Sequence, residues 1–221
     1  MGARSKMLPE RKDVLQWSRV AHPPNPTSIK ITLPPPVHKG LVSLEETLSR
    51  RRSVREFADK PVTEKQIGQL LWAAQGITDA QGLRTAPSAG ALYALEIYVA
   101  TANGFYRYIP ESHRMERQSV EDLRQALYRA ASEQESVLGA AAVIVIAAIY
   151  GRLAEKYGKE RSTRYAHLEA GHAAQNLLLQ ATALGLASVP IGAFRDDQVQ
   201  ATLSLPLEQA PLYLIPVGVS T

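Results

Sequence analysis

Cysteine is absent from this chain of 221 residues. Disulfides, thiolate metal sites, iron–sulfur clusters and a cysteine nucleophile are thereby excluded, and any redox chemistry has to come from a bound cofactor. Long apolar runs are missing as well. The opening Met1-Gly2-Ala3-Arg4-Ser5-Lys6 is not followed by the apolar stretch of a secretory signal, and no segment has the length of a membrane span. A cytoplasmic protein with no membrane partner is the expectation. Three signatures are lacking too: the glycine fingerprint of dinucleotide folds, the lysine-bearing phosphate loop, and the Gly-x-Ser-x-Gly elbow of the α/β-hydrolases.

What is present suits one large domain or a domain with an arm, since hydrophobic residues make up 45% of the chain and can supply a core. The net charge of +4 is unevenly spread. Residues 1–60 carry 12 Lys/Arg against 6 Asp/Glu, whereas the remainder is slightly acidic. Single-strand nucleic-acid binders interleave aromatic side chains with their cations, and the arm offers only Trp17. A solvated arm or an anionic cofactor accounts for the charge, so no nucleic-acid partner is expected.

Pro23-Pro24-Asn25-Pro26 and Pro34-Pro35-Pro36 can continue neither a helix nor a central strand. Residues 1–42 therefore read as a proline-rich extended arm lying on a body of residues 43–221. Ser43 with Glu46, and Thr63 with Gln66, have capping-box spacing. They predict one helix through about Arg51 and a second whose apolar face is Ile67, Leu70, Leu71 and Ala74. Segments 96–101 and 105–109 are rich in aromatic and β-branched residues, and Asn103-Gly104 between them suits a hairpin. An amphipathic helix is expected from Ser119 to about Gln134. Segment 141–149 is apolar at every position and predicts a strand covered on both faces. A long helix over about 162–184, a strand near 188–191, a short helix from Asp196 and a final strand over 212–217 complete the chain. Mixed hairpin and crossover connections point to an α+β sandwich rather than a doubly wound sheet.

Three segments have the chemistry of a site. Arg51-Arg52-Ser53-Val54-Arg55 puts three cations and a hydroxyl where a helix gives way to a turn, an arrangement that can grip a phosphate through charge-assisted hydrogen bonds. Segments 84–93 and 185–194 are glycine-bearing, small-residue loops that let backbone amides approach a flat ligand. Glu169 and His172 match the Glu-x-x-His spacing of di-iron bundles, but those need two such pairs and further glutamates. His167 and His172 are five apart, wrong for joint ligation on one helix. Glu169, His172 and Asn176 therefore read as a polar stripe serving a helix interface, and no metal is expected.

In order along the chain, Arg-Arg-Ser-Val-Arg-Glu-Phe, Ala-Pro-Ser-Ala-Gly-Ala-Leu-Tyr-Ala-Leu-Glu-Ile-Tyr, Glu-Ala-Gly-His-Ala-Ala-Gln-Asn-Leu and Gly-Leu-Ala-Ser-Val-Pro-Ile-Gly-Ala-Phe resemble the nitroreductase superfamily of flavoproteins. The resemblance is closer to its branch of thiazoline/oxazoline dehydrogenases. It implies an α+β nitroreductase-like sandwich, with a mostly antiparallel central sheet flanked by helices, in a homodimer with FMN at the interface. It assigns the FMN phosphate and ribityl chain to Arg51, Arg52, Ser53 and Arg55. It brings Pro87, Ser88, Ala89 and Gly90 to the partner's flavin, and it lays Pro190, Ile191, Gly192 and Ala193 against the ring.

The family's basic residue after the last strand is missing from Pro216-Val217-Gly218-Val219-Ser220-Thr221, which leaves Arg84 or another arginine to replace it. The small-residue face of the long helix, Ala166, Ala170, Ala173, Ala174, Leu177 and Ala181, fits either close packing between subunits or an ordinary core. The branch resemblance implicates Lys156 and Tyr157 as the base for dehydrogenating a ring in a small-molecule or peptide-derived substrate. The general family instead implies an NAD(P)H-dependent nitro or quinone reductase. A flavin fold that has lost its cofactor and serves as a scaffold is the competing, non-enzymatic class.

Overall fold

A computed structural model describes residues 29–221. The first part of the arm lies outside the described residues. Its remainder meets the body: β1 (Lys30–Thr32) pairs with β5 (Arg114–Ser119), Leu33 is buried, and His38 stacks on Trp72. Ser43 caps α1 (Leu44–Arg50) by accepting the Glu46 amide proton at 3.1 Å, while the Glu46 carboxylate pairs with Arg50. Thr63 and Gln66 form the full reciprocal box at the start of α2 (Glu64–Gln75).

The sheet is antiparallel along every strand pair and runs β1-β5-β4-β3-β6-β8-β2. Here β2 is Phe57–Ala58, β3 Leu95–Thr101, β4 Gly104–Ile109, β6 Ala142–Ala148 and β8 Ala210–Ser220. A further strand, β7 (Leu186–Ser188), takes the other edge of β8, since Val217 pairs with both Ala142 and Ser188. The hairpin at Asn103-Gly104 forms as expected. Strand β6 explains its own composition: Ile144 and Ile146 enter one core and Val143 and Val145 the other, so every position is buried. One face carries α2 and the long α6 (Lys159–Ala183). The other carries α3 (Arg124–Ala130), the single turn α4 (Glu135–Leu138) and α7 (Asp196–Thr202).

Two expectations are corrected. The expected single helix over about 119–134 is instead the last residue of β5 and then α3, with α4 beginning only at Glu135. Ser119 pairs with Phe105 across β4, and Ser132 and Glu133 take positive φ of 54° and 57°, a conformation that stops a helix. The long helix begins earlier, at Lys159, after a separate α5 (Gly151–Tyr157), the two being divided at Gly158 with φ 78°. As for the small-residue face of α6, Ala166, Ala170, Ala173, Ala174, Leu177 and Ala181 are all buried in the chain's own core.

Candidate functional site

Two of the three sequence segments meet through the backbone. Beyond α1 the chain turns so that the Val54 amide donates to the Ser188 carbonyl at 3.1 Å and Ser53 bridges Ser188 in parallel. The cation loop is thus joined to the end of β7, where the glycine loop begins. Arg52 folds back, with Nη1 donating to the carbonyls of Ser49 and Arg51 at 2.9 and 2.7 Å. Among the described residues neither Arg51 nor Arg55 has an acidic partner within ion-pair distance, so the loop presents uncompensated positive charge.

The glycine loop is held along β8. Val189 donates to Pro216, Ile191 and Leu214 exchange both backbone hydrogen bonds, and Pro190 sits half-buried between them. Gly192 and Ala193 then become exposed, the Ala193 carbonyl being held by Gln134 at 2.8 Å. A Cβ added at Gly192 would meet nothing within 4 Å, so open space faces this backbone. A loop of arginines joined through its backbone to an open, small-residue loop suits a ligand that joins a phosphate to a flat ring.

The third segment is built differently. Gly90 (φ 63°), Ala91 (55°) and Tyr93 (49°) all lie in the left-handed region. A Cβ at Gly90 would stand 2.7 Å from Tyr157 Oη and 2.9 Å from Lys156 Nζ, so the glycine lets this loop press against the end of α5. Lys156 is exposed and its Nζ lies 5.5 Å from the Tyr157 ring centroid, while Tyr157 meets Tyr165 edge-on at 5.0 Å. Pro87 is exposed and Ala89 half-buried, but Ser88 turns inward: its Oγ donates to Glu169 Oε2 at 2.6 Å. Nearby, Arg152 spans the Tyr93 carbonyl and the Glu96 carboxylate, which Arg107 also holds at 2.8 Å. Although burial works to raise the Glu96 carboxyl, Arg152 and Arg107 prevail and hold it below its usual range.

Cation loop and proline–serine loop do not meet within one chain. Ser188 is in register with Val217 and Ala142, at the Thr101 end of β3, whereas Gly90 lies just before Leu95 at the other end. The length of β3 separates those ends by roughly 20 Å. Arg84 belongs to the far end: its guanidinium bonds Gln75 and Glu111, both at 3.1 Å, and covers the Tyr93 ring. Within one chain it therefore lies away from the cation loop. Of the polar stripe on α6, Glu169 serves Ser88 and Asn176 donates to the Thr85 carbonyl at 3.2 Å, but His172 is exposed. No metal-binding cluster occurs and no helix is long and apolar enough to cross a membrane, among the described residues.

The sequence reading missed the Gly90 contact with Lys156 and Tyr157, the inward turn of Ser88 and the Glu96 ion-pair cluster. Each joins residues more than ten positions apart, and only the Glu-x-x-His spacing drew attention to Glu169.

Residues 48–219 match the Nitroreductase family. The Methanocaldococcus jannaschii protein MJ1384, assigned as a nitroreductase, is 44% identical over 80% of this chain and 91% of its own length. A crystal structure from Ralstonia eutropha JMP134, assigned likewise, is 32% identical, covers 87% of this chain and 90% of that one, and superposes with a TM-score of 0.78. The NADPH:FMN oxidoreductase of Vibrio harveyi, complexed with NAD+, is 26% identical over 80% of this chain and 68% of its own, with a TM-score of 0.61. By its sequence, its antiparallel sheet between two helical layers and these relatives, the chain belongs to the nitroreductase family and is an oxidoreductase enzyme.

Proposed function

We propose that this protein is an FMN-dependent oxidoreductase that works as a homodimer. The observation that carries the reading is the Val54–Ser188 hydrogen bond, which joins a loop of three arginines to an open glycine loop. Arg51, Arg52, Arg55 and the Ser53 hydroxyl would hold the phosphate and ribityl chain, and Pro190, Ile191, Gly192 and Ala193 would lie against the ring. FMN, when bound, supplies a carrier that accepts or gives hydride at N5. The protein itself needs few titratable groups for that task. Its own contribution is to hold the cofactor, shape the wall beside it and keep a proton donor or acceptor in place.

The separation of the two loops supports the dimer reading, given that the family resemblance assigns both to a flavin. Pro87, Ser88, Ala89 and Gly90 would complete the site of the partner rather than that of their own chain, about 20 Å away along the strands. Ser88 would act there through its backbone, its hydroxyl being taken by Glu169.

On direction, two readings stand on different observations. An azoline-type dehydrogenation of a small-molecule or peptide-derived ring requires a base, and Lys156 Nζ and Tyr157 Oη both lie beside the backbone of Gly90. Lys156 as the free amine, or Tyr157 as the phenolate, would take up the ring proton. Reduction of a nitro compound or quinone by NAD(P)H is favoured instead by the Vibrio harveyi relative, whose name specifies NADPH and FMN. Purified protein assayed for both directions separates them: oxidation of a thiazoline or oxazoline ring abolished in Lys156→Ala supports the first, and activity with NAD(P)H as the sole accepted donor supports the second.

A further inference from the structure

Glu169 stands out among the carboxyls of this molecule. It is 1% exposed in the middle of α6, yet it has no cationic partner within ion-pair distance among the described residues. Both of its hydrogen bonds converge on one oxygen: Oε2 accepts from Ser88 Oγ at 2.6 Å and from the Ala94 amide at 3.3 Å. Oε1 is buried with no partner. Ser88 Oγ in turn accepts the Tyr93 amide proton at 2.9 Å. One carboxyl therefore gathers both ends of the segment from Ser88 to Ala94.

That segment needs holding. Ala91 and Tyr93 are non-glycine residues at positive φ, which L-residues adopt only when their surroundings require it. Gly90, between the two anchored ends, comes so near Tyr157 Oη and Lys156 Nζ that a Cβ there would stand 2.7 and 2.9 Å from them. The two proton-bearing groups at the end of α5 thus rest against a loop whose shape is set from α6.

We propose that Glu169 is a positioning residue: its buried carboxyl fixes the loop from Ser88 to Ala94, and through Gly90 it sets the place of Lys156 and Tyr157. Burial raises the tendency of this carboxyl to keep its proton, opposed by its bonds to Ser88 and Ala94 and by the charges of Arg84 and Arg152. A side chain kept for packing alone would need neither the carboxyl nor its bond to Ser88. The second half of the proposal rests on the assignment of Lys156 and Tyr157 made above, whereas the first half does not.

The test uses the flavin-loaded full chain and reads amide hydrogen exchange at Tyr93 and Ala94, which requires no substrate. Ser88→Ala and Glu169→Ala should each raise exchange at both amides by about tenfold or more, while Glu169→Gln, which keeps an acceptor oxygen, should retain protection. Ser88→Ala serves if Glu169→Ala does not fold. Unchanged protection in folded Ser88→Ala protein overturns the latch. For the second half, Ser88→Ala should lower kcat for azoline-ring oxidation with KM little changed, and should damage NAD(P)H-driven quinone reduction, in which Lys156 and Tyr157 are not expected to act, far less. An equal loss in both reactions overturns the route through Gly90. Normal turnover in Lys156→Ala, Tyr157→Phe protein sinks both the catalytic assignment and this half of the proposal, and leaves the exchange result to decide the latch.

Discussion

The amide of Val54 donates to the carbonyl of Ser188 at 3.1 Å, joining residues 134 positions apart in the sequence. Without it, three arginines after a short helix would be a solvated basic turn. With it, they stand at the start of the loop that carries Gly192, and charge and open backbone become parts of one surface.

Arginine loss should therefore show in cofactor affinity. Arg51→Ala and Arg55→Ala each remove a guanidinium with no acidic partner within ion-pair distance among the described residues, and each should weaken FMN binding by about 1.5–3 kcal/mol. Arg52→Ala should do the same, with some added loosening where its Nη1 leaves the Ser49 and Arg51 carbonyls. Titration of apoprotein by flavin fluorescence measures all three. Unchanged affinity across the set would remove the phosphate assignment.

Gly90→Ala tests this close approach. The atoms a Cβ would meet, Tyr157 Oη and Lys156 Nζ, are the ends of side chains and can move aside, so the stability cost should be the left-handed backbone alone, about 1 kcal/mol. Turnover should fall further than this, because the two displaced groups are those assigned to proton transfer. A thermal melt and a steady-state assay compare the two effects. Unaltered turnover in a protein destabilised as expected would mean that the close approach has no catalytic consequence.

Lys156→Ala and Tyr157→Phe should leave FMN content intact, since neither residue is among those assigned to hold the cofactor. They should abolish oxidation of an azoline ring and affect quinone reduction by NAD(P)H far less. Wild-type azoline oxidation in both variants would transfer the reading to the general reductase.

Two buried glutamates should give opposite pH dependences. The Glu96 carboxyl is held low, so its contribution to stability is complete above the usual glutamate value of 4.5 and is lost as pH falls through the depressed folded value. The Glu169 carboxyl is pushed up chiefly by burial, so its ionisation begins to cost stability as pH rises above 4.5, until the raised folded value is passed. Relative to wild type, Glu96→Gln should fare worst at neutral pH, and Glu169→Gln should improve as pH rises. Melting curves between about pH 2 and pH 8, spanning both sides of the usual glutamate value, decide it; an offset independent of pH for both variants would contradict these assignments.

How much of this was legible in the sequence depended on whether the signal was local. Strand β6 announced itself because both of its faces are buried, and Thr63 with Gln66 because a capping box lies within four residues. Strand β5 did not, since among Arg114-Met115-Glu116-Arg117-Gln118-Ser119 only Met115 is fully buried and no apolar alternation results. The cation and glycine loops were visible as composition, but the inward turn of Ser88 was not, because Glu169 lies 81 positions away. Likewise Gly90 could be recognised as a loop glycine, while its reason, the tips of Lys156 and Tyr157, exists only in three dimensions.

The account rests on FMN, and equilibrium uptake of FMN by purified apoprotein tests it most directly. It expects noncovalent binding near one FMN per chain, with a flavin absorption spectrum, in a dimer by sedimentation, and binding weakened in Arg51→Ala. Folded protein that stays colourless and takes up no FMN would contradict it.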